Sequence, residues 1–268
     1  MTGEPRMSSE SIIKAQARAS LKGNLVTLIA AIGLCFAVAV LIDSIVGTAL
    51  TCLGAYDFES GEIRDDKKLL YALGNVFSFG ALALFSPLIN GTIRLAADAA
   101  KTGKAKIGDL LYFFEGAGRY LKTLALNLSL CLPVLILSFV LDPTYLLELF
   151  GLINTDAPFD DLLSGSLFLL SVIIGVAVKL ALYFIFVHYP LFAYSMGEAE
   201  SATYCVFGLL SFAIKSFPAA IKLFFSFTGW IMLCFFVVPA IYVLPYMLVA
   251  MSNSVKWLIH DNRAKGII

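Results

Sequence analysis

The sequence predicts an all-α membrane protein, a polytopic bundle of about six transmembrane helices. Hydrophobic residues make up 60% of the 268 residues and charged residues only 14%, whereas a soluble domain of average composition carries about a quarter charged residues. The mean hydropathy is +0.89. Such a chain has too few polar side chains to cover its folded surface in water, so lipid must cover much of it. The apolar residues also lie in long runs, and the basic residues are concentrated in alternate segments between these runs.

Four apolar runs are each long enough for one span, because crossing a bilayer core of ~30 Å takes roughly 20 residues of helix. They extend from Leu25 to Ile42, with a continuation past Asp43 to Leu53, from Leu69 to about Ile93, from about Leu121 to Leu141, and from about Ser166 to Phe192. The last run, from Ile221 to about Ile259, is too long for one span. Because Pro239 and Pro245 disfavour an unbroken helix there, we interpret it as two spans joined by a tight turn near Pro239.

Lysine and arginine fall on alternate sides of these spans, which predicts the orientation of the chain. Cytoplasmic loops carry an excess of these residues. The segments assigned to the cytoplasm contain Arg6, Lys14, Arg18 and Lys22, then Arg94, Lys101, Lys104, Lys106, Arg119 and Lys122, then Lys215 and Lys222, and finally Lys256, Arg263 and Lys265. The outer segment from Asp142 to Asp161 contains no basic residue. We therefore predict a multi-pass protein of the cytoplasmic (inner) membrane with both termini in the cytoplasm.

A short amphipathic stretch precedes each outward-going span. The apolar positions are Ile107, Leu110, Leu111 and Phe114 in the second stretch, Val206, Leu209, Leu210 and Ala213 in the third, and a weaker Ile13, Ala17 and Leu21 in the first. Spacings of three and four residues are typical of a helix that lies in the membrane interface. We expect three cytoplasmic interfacial helices of this kind.

These stretches belong to a larger pattern that occurs three times. Each ends near a basic residue at the base of its span, and each returning span carries a proline followed by Leu or Tyr. The residues are Lys22, Lys122 and Lys222, with Pro87-Leu88, Pro190-Leu191 and Pro245-Tyr246. One interpretation is a single membrane domain, residues 1–268, with repeat units 8–93, 105–193 and 201–260. Parallel repeats of this kind occur in transporters. The other interpretation is that apolar helices resemble one another by composition alone.

Lys179 is the most informative single residue, because it lies near the middle of the fourth span, where an unpaired charge is costly. In a functional interpretation it contacts an ion, a substrate or a lipid headgroup inside the bundle, and Asp43 of the first span is its candidate partner. In a structural interpretation it reaches toward a headgroup or loses its charge. We take Lys179 and Asp43 as the candidate ligand-binding residues.

Motifs of known catalytic, metal or cofactor sites are absent. The chain has no HExxH, GxSxG, GxxxxGK[ST] or GxGxxG pattern. His188 and His260 are far apart, and the five cysteines include no CxxC pair. We therefore predict a protein that is not an enzyme and has no metal and no cofactor. A net charge of zero argues against nucleic acid as a partner.

Other polar and small residues of the spans predict contacts between helices. Asn90 and Asn127 lie within or near spans, where such side chains more often hydrogen-bond to another helix than bind a substrate. Gly33 and Ala37 form a small-xxx-small pair that favours close helix contact. The outer segment from Asp142 to Asp161 is either a short interfacial helix or partner-binding element, or a solvated connector.

Three strings carry a resemblance to a known family. They are SPLINGTIRLAADAAKTGKAKIGDLLYFF in the centre, LFFSFTGWIMLCFFVVPAIYVLPYMLVAMSNSV near the C-terminus with its SFTGW and PY elements, and the opening ARASLKGNLVTLI. Between about Ala15 and Leu258 the chain resembles domain-of-unknown-function family 975, a group of bacterial integral membrane proteins. The resemblance implies a protein of a bacterial cytoplasmic membrane, and it supplies no activity and no functional residue.

Three functions are compatible with these observations. The first is a non-enzymatic membrane protein that binds a lipid, peptide or protein partner, as in envelope maintenance or protection from membrane-active peptides. The second is a transporter or channel subunit with a site near Lys179. The third is an intramembrane enzyme that modifies lipid, which requires two polar groups converging at one depth.

Overall fold

Helices account for every regular element in the part of the chain that the structure describes. The structure, a computed structural model, describes residues 9–55, 63–149, 162–195, 206–233 and 237–264. The α-helices are α1 (Ser9–Leu21), α2 (Leu25–Cys52), α3 (Lys68–Phe85), α4 (Pro87–Thr102), α5 (Ala117–Val140), α6 (Pro143–Leu149), α7 (Leu162–Tyr183), α8 (Tyr189–Ser195), α9 (Val206–Ser226), α10 (Thr228–Leu233) and α11 (Val237–Ala264). Asp65–Lys67 and Ile107–Phe114 are 3₁₀ helices, and Phe184–His188 is a π-helical segment between α7 and α8.

Six helical segments are long and apolar enough to cross a membrane, which confirms the predicted all-α polytopic class. They are Leu25–Cys52, Lys68–Thr102, Ala117–Ser138, Gly165–Ser195, Val206–Ser226 and Val238–Ile259. The first four agree with the predicted spans, including the continuation of the first past Asp43. The sixth also agrees, because it begins beside Pro239 and ends at Ile259, whereas the fifth begins at Val206 rather than at Ile221.

The chain forms two compact units. The first unit comprises Met1–Asn127 and Cys234–Ser254, and the second comprises Leu128–Leu233 and Val255–Ile268. Two of the three boundaries fall inside α5 and α11, so each of these two helices contributes residues to both units.

In the first unit, α4 is the most buried element, and it packs against the 3₁₀ helix Ile107–Phe114. The crossing is close at Gly91, where a Cβ atom would overlap the carbonyl oxygen of Leu110. Asn24 fixes the loop between the two elements: its Nδ2 donates to the Gly103 carbonyl at 2.9 Å, and its Oδ1 accepts from the Ala105 N–H at 2.8 Å. The central string of the family resemblance, residues 86–114, is therefore one folded substructure.

In the second unit, the π-helical segment and α8 form a buried face against α9. Tyr189 and Phe192 are fully buried. The rings of Phe184 and Phe224 meet edge to face with centroids 5.3 Å apart, a geometry that favours aromatic pairs. Aromatic packing thus holds α9 to this part of the fourth span.

The first predicted amphipathic stripe is confirmed, because Ile13, Ala17 and Leu21 are the buried residues of α1. The second is wrong in its details. Ile107–Phe114 is a 3₁₀ helix, in which residues three apart share a face. Its buried residues are Leu110 and Phe113, whereas Ile107 and Leu111 are exposed.

The third amphipathic stretch also differs from prediction, because it is the beginning of a span. α9 is continuous from Val206 to Ser226, so the fifth span candidate begins at Val206 rather than at Ile221. In the first two predicted repeat units, Gly23 (φ +96°) and Gly116 (φ +100°) separate the amphipathic segment from the span that follows. Residues 210–226 contain no glycine, and the helix runs through. Pro239 lies in the first turn of α11, and residues 234–236 before that helix lie outside the described residues.

The prolines of the three returning spans are alike in burial and differ in helical context. Pro87, Pro190 and Pro245 are all buried, and mostly buried stretches of helix follow each of them. Pro87 begins α4 after a turn at Ser86, Pro190 follows the π-helical segment, and Pro245 lies inside the unbroken α11. The threefold repeat itself stays a prediction.

Candidate functional site

Lys179, the intramembrane charge singled out by the sequence, is paired with a carboxylate in the second unit. Its Nζ lies 2.6 Å from Oδ2 of Asp142, in the turn between α5 and α6. The other carboxylate oxygen, Oδ1, accepts the Thr144 N–H at 2.9 Å. Asp142 therefore begins α6 and neutralises Lys179 at the same time.

Two further contacts extend this ion pair into a row. The Thr144 and Ser171 hydroxyl oxygens are 3.1 Å apart. Because the Ser171 hydroxyl donates to the Phe168 carbonyl at 2.7 Å, Thr144 must donate to Ser171, since a serine hydroxyl carries a single proton. Between the two polar contacts, a Cβ at Gly175 would lie 3.3 Å from Cδ of Pro143.

The α7 side of this row has a regular spacing. Ser171, Gly175 and Lys179 are four residues apart and share one face of the helix. They meet Thr144, Pro143 and Asp142 in reverse order, so the start of α6 runs antiparallel to α7. We call these six residues the α6–α7 clasp.

The clasp lies at mid-length of the fourth span candidate. Lys179 is 14 residues from Gly165 and 16 residues from Ser195, or about 21 and 24 Å at the helical rise of 1.5 Å per residue. The sequence alone assigned Asp142 to an outer loop. The structure instead places this carboxylate beside the middle of a span, where the pairing lowers the cost of both charges.

The partner predicted for Lys179 was Asp43. Asp43 belongs to the first unit and is exposed on α2, and its pairing with Lys179 stays a prediction. The Lys179 side chain is 44% exposed and that of Asp142 is 21% exposed. Lys179 thus keeps access to its surroundings while its ammonium group is already paired.

A second polar cluster ties α4 to α5 in the first unit. The Nδ2 of Asn90 donates to Oδ1 of Asn127 at 3.1 Å, and the Nδ2 of Asn127 donates to the Ser86 hydroxyl at 2.8 Å. This confirms the prediction that the two asparagines hydrogen-bond between helices. The Oδ1 of Asn90 is buried and has no hydrogen-bond partner in the part of the chain that the structure describes, so the cluster retains one acceptor that these residues do not satisfy.

The remaining predicted features carry no site among the described residues. His188 contacts the Tyr183 carbonyl through Nδ1 at 2.9 Å, within its own helical run. No group of three His, Cys, Asp or Glu residues in the described ranges is placed to hold a metal. A Cβ at Gly33 would meet no atom within 4 Å, so no described helix packs against that glycine. The outer segment beyond Leu149 lies outside the described residues as far as residue 161.

Sequence reasoning missed Asp142, Thr144 and Ser171 as partners in this site. Two signals were available. Asp-Pro at residues 142–143 is typical of a helix start, with Asp as cap and Pro in the first turn. Ser171, Gly175 and Lys179 recur at intervals of four, which indicates a helix face that is both small and polar. Neither pattern predicts that the two segments pair, because many residues separate them in the sequence.

Comparisons with known proteins add no relative. No protein-family model matches the chain, and searches of curated proteins and of solved structures found no match. The resemblance to domain-of-unknown-function family 975 therefore stays a prediction.

Proposed function

We propose that this chain is a non-enzymatic multi-pass protein of a bacterial cytoplasmic membrane, with both termini in the cytoplasm, and that its helix bundle binds a lipid, peptide or protein partner. A role in envelope maintenance or in protection from membrane-active peptides fits such a protein. The bacterial membrane and the family assignment rest on the resemblance, and the orientation rests on the distribution of basic residues.

The α6–α7 clasp is the observation that carries this proposal. Lys179, the charge that a transport site would use, is paired with Asp142 at 2.6 Å, and the same carboxylate caps α6. The charge therefore holds a short helix against a span. A helix fixed in this way offers a pre-organised surface, which lowers the entropy cost of binding a partner. We place the partner surface on α6.

A transporter or channel subunit with a site near Lys179 is the second candidate. Two interruptions of helical geometry favour it: the turn at Ser86 before Pro87, and the π-helical segment Phe184–His188 before Pro190. Discontinuous helices near the middle of the membrane form substrate sites in many transporters. The partial exposure of Lys179 is compatible with access for an ion.

Site-specific photo-crosslinking in native membranes tests the partner surface. A photoreactive amino acid replaces Leu146 on α6, and the matched control carries it at Leu34, an exposed apolar residue of α2. We expect a discrete adduct at Leu146 only, and the Lys179→Met substitution should reduce it because α6 is then released. Intact mass and fragmentation of the adduct identify a lipid, peptide or protein. Identical adducts at both positions would show that α6 merely faces bulk lipid.

Reconstitution into liposomes separates the two candidates. Proton and potassium flux are measured with internal dyes for the natural protein and for Lys179→Met. The proposal predicts flux no higher than in empty liposomes for both proteins. Flux of the natural protein that disappears in Lys179→Met, while that variant still unfolds cooperatively above the assay temperature, would favour the transporter and contradict the proposal.

A further inference from the structure

Two arginines share one tyrosine ring in the first unit. The guanidinium carbon of Arg94, on α4, lies 3.5 Å from the Tyr112 ring centroid, and that of Arg119, on α5, lies 3.9 Å from the same centroid. The two carbons are therefore at most 7.4 Å apart, the sum of those distances. Cation–π contact with the tyrosine ring stabilises each of them. We call Arg94, Tyr112 and Arg119 the arginine–tyrosine cluster.

The backbone around this cluster is held in place before any ligand binds. Tyr112 belongs to the 3₁₀ helix whose Leu110 carbonyl packs onto Gly91 of α4. A hydrogen bond of 3.0 Å from Nη1 of Arg119 to the Tyr112 carbonyl joins the same 3₁₀ helix to α5. The two guanidinium groups, on α4 and α5, and the tyrosine ring between them are therefore carried by elements that already contact one another. Binding a ligand then costs little further loss of backbone entropy.

Most of the guanidinium donors have no hydrogen-bond acceptor among the described residues. Each arginine carries five N–H donors, and the hydrogen bond to the Tyr112 carbonyl is the one that they make to the described residues. The Nε of Arg94 is buried and has no hydrogen-bond partner among the described residues, and the Arg94 side chain as a whole is 25% exposed. The nearest carboxylates are long contacts: Asp98 is 4.0 Å from Arg94, and Glu115 is 3.5 Å from Arg119.

A ligand with several closely spaced anionic oxygens satisfies such a cluster. Guanidinium groups bind phosphate through paired N–H donors. Residues 94–122 contain six basic and three acidic residues, so the segment has a net charge of +3 and attracts anions. Close to the cluster, the charges of Asp98 and Glu115 balance those of the two arginines. Attraction by net charge is therefore weak at the site itself, and hydrogen-bond geometry selects the anion.

The surroundings favour a lipid as the source of the phosphate. Arg94 lies eight residues before the end of the second span candidate, Arg119 lies two residues after the start of the third, and Tyr112 lies in the segment that joins them. The cluster is therefore near the ends of two spans, where lipid headgroups bind basic side chains. Exposed apolar side chains are present on the same elements: Ile89 on α4, and Ile107 and Leu111 on the 3₁₀ helix. We propose that Arg94 and Arg119 bind the phosphate of an anionic lipid headgroup, with acyl chains against these apolar residues. This site shares no residue with the α6 surface, so either proposal can fail alone.

Native mass spectrometry of the purified full-length protein, titrated with phosphatidylglycerol or phosphatidylcholine, tests the site. Loss of a guanidinium–phosphate hydrogen bond should weaken phosphatidylglycerol binding by about ten- to a hundredfold in Arg94→Gln and in Arg119→Gln. Arg119→Lys keeps the charge and should weaken binding as well, because an ammonium group lacks the paired donors. The matched control is Arg64→Gln, an exposed arginine 3.2 Å from Asp66 in another segment, which should bind like the natural protein.

The outcomes separate the lipid from its alternatives. Phosphatidylglycerol binding that is lost in Arg119→Lys, at an unchanged unfolding temperature, supports the proposal. Equal binding by all variants overturns it. The cluster would then serve only to pack the 3₁₀ helix against α4 and α5. Complete displacement of the lipid by millimolar inorganic phosphate also overturns it, because the site would then be one for a soluble anion.

Discussion

Removing the charge of Lys179 is the most direct test of the α6–α7 clasp. Lys179→Met replaces the lysine with an uncharged, unbranched side chain of similar length. It leaves the Asp142 carboxylate without its ammonium partner. That carboxylate is 21% exposed and still accepts a hydrogen bond from the Thr144 N–H. Helix α6 should therefore lose its strongest attachment to α7.

The expected magnitude follows from the exposure of the two side chains. Removing one partner of a fully buried ion pair costs about 3–5 kcal/mol, whereas exposed pairs contribute at most about 1 kcal/mol. Lys179 and Asp142 are 44% and 21% exposed, which places this pair between the two cases. We expect Lys179→Met to lower the free energy of unfolding by about 1–3 kcal/mol, and each kcal/mol to lower the unfolding temperature by about 2–4 °C.

A double-mutant cycle isolates the ion pair from other effects. Asp142→Asn keeps an acceptor for the Thr144 N–H and leaves Lys179 partly exposed, so its cost should be smaller. The double variant Lys179→Met/Asp142→Asn should lose less free energy of unfolding than the two single variants lose together. The difference, the coupling energy, should be at least about 1 kcal/mol. Thermal unfolding in lipid nanodiscs measures all four proteins.

The matched control is Lys215→Met, which removes an exposed lysine from α9 in the same unit. It should leave the unfolding temperature within about 1 °C of the natural value, because exposed charges contribute little. A coupling energy of zero within error, or an equal effect of Lys215→Met, would refute the clasp as a stabilising ion pair.

Three further predictions concern the first unit and the orientation of the chain. Gly91→Ala should lower the free energy of unfolding by about 1–3 kcal/mol, because its Cβ would overlap the Leu110 carbonyl; Gly80→Ala, where the added Cβ meets open space, is the control in the same thermal assay. Asn127→Leu should cost about 1–3 kcal/mol because it leaves the Asn90 amide unpaired, and a double variant with Asn90→Leu that is less stable still would contradict that reason. In a variant that keeps Cys52 as its single cysteine, a membrane-impermeant maleimide should label intact cells, because this exposed thiol ends α2 on the predicted outer side. Labelling only after the cells are opened would reverse the predicted topology.

Several features of the fold follow from the sequence because they depend on local composition. Six segments of about 20 or more apolar residues specify six helices, since an isolated backbone in lipid must satisfy its own hydrogen bonds. Gly23 and Gly116 mark the breaks after the first two amphipathic segments, and both adopt a positive φ. No glycine occurs in residues 210–226, where the third segment leads into its span, so its continuous helix also follows from the local sequence.

Other features depend on which segments meet, and only the tertiary structure decides them. Asp142 and Lys179 are 37 residues apart with a helix and a long connection between them, so nothing local identifies them as partners. Likewise Arg94 and Arg119 appeared in the sequence only as basic residues that predict orientation, and Tyr112 appeared only as part of the central string of the family resemblance. They become one cluster because Gly91 admits the 3₁₀ helix to the surface of α4.

The division between the two kinds of feature has a physical reason. The transfer of a helix from water to lipid depends on the sum of its own side chains, so composition and charge determined the class, the number of spans and the expected orientation. The partner of a buried charge depends on register and depth between helices, which a few close contacts decide. In this protein those contacts are at Gly175 beside Pro143 and at Gly91 beside Leu110, and they brought together the two sites that the sequence showed only as separate residues.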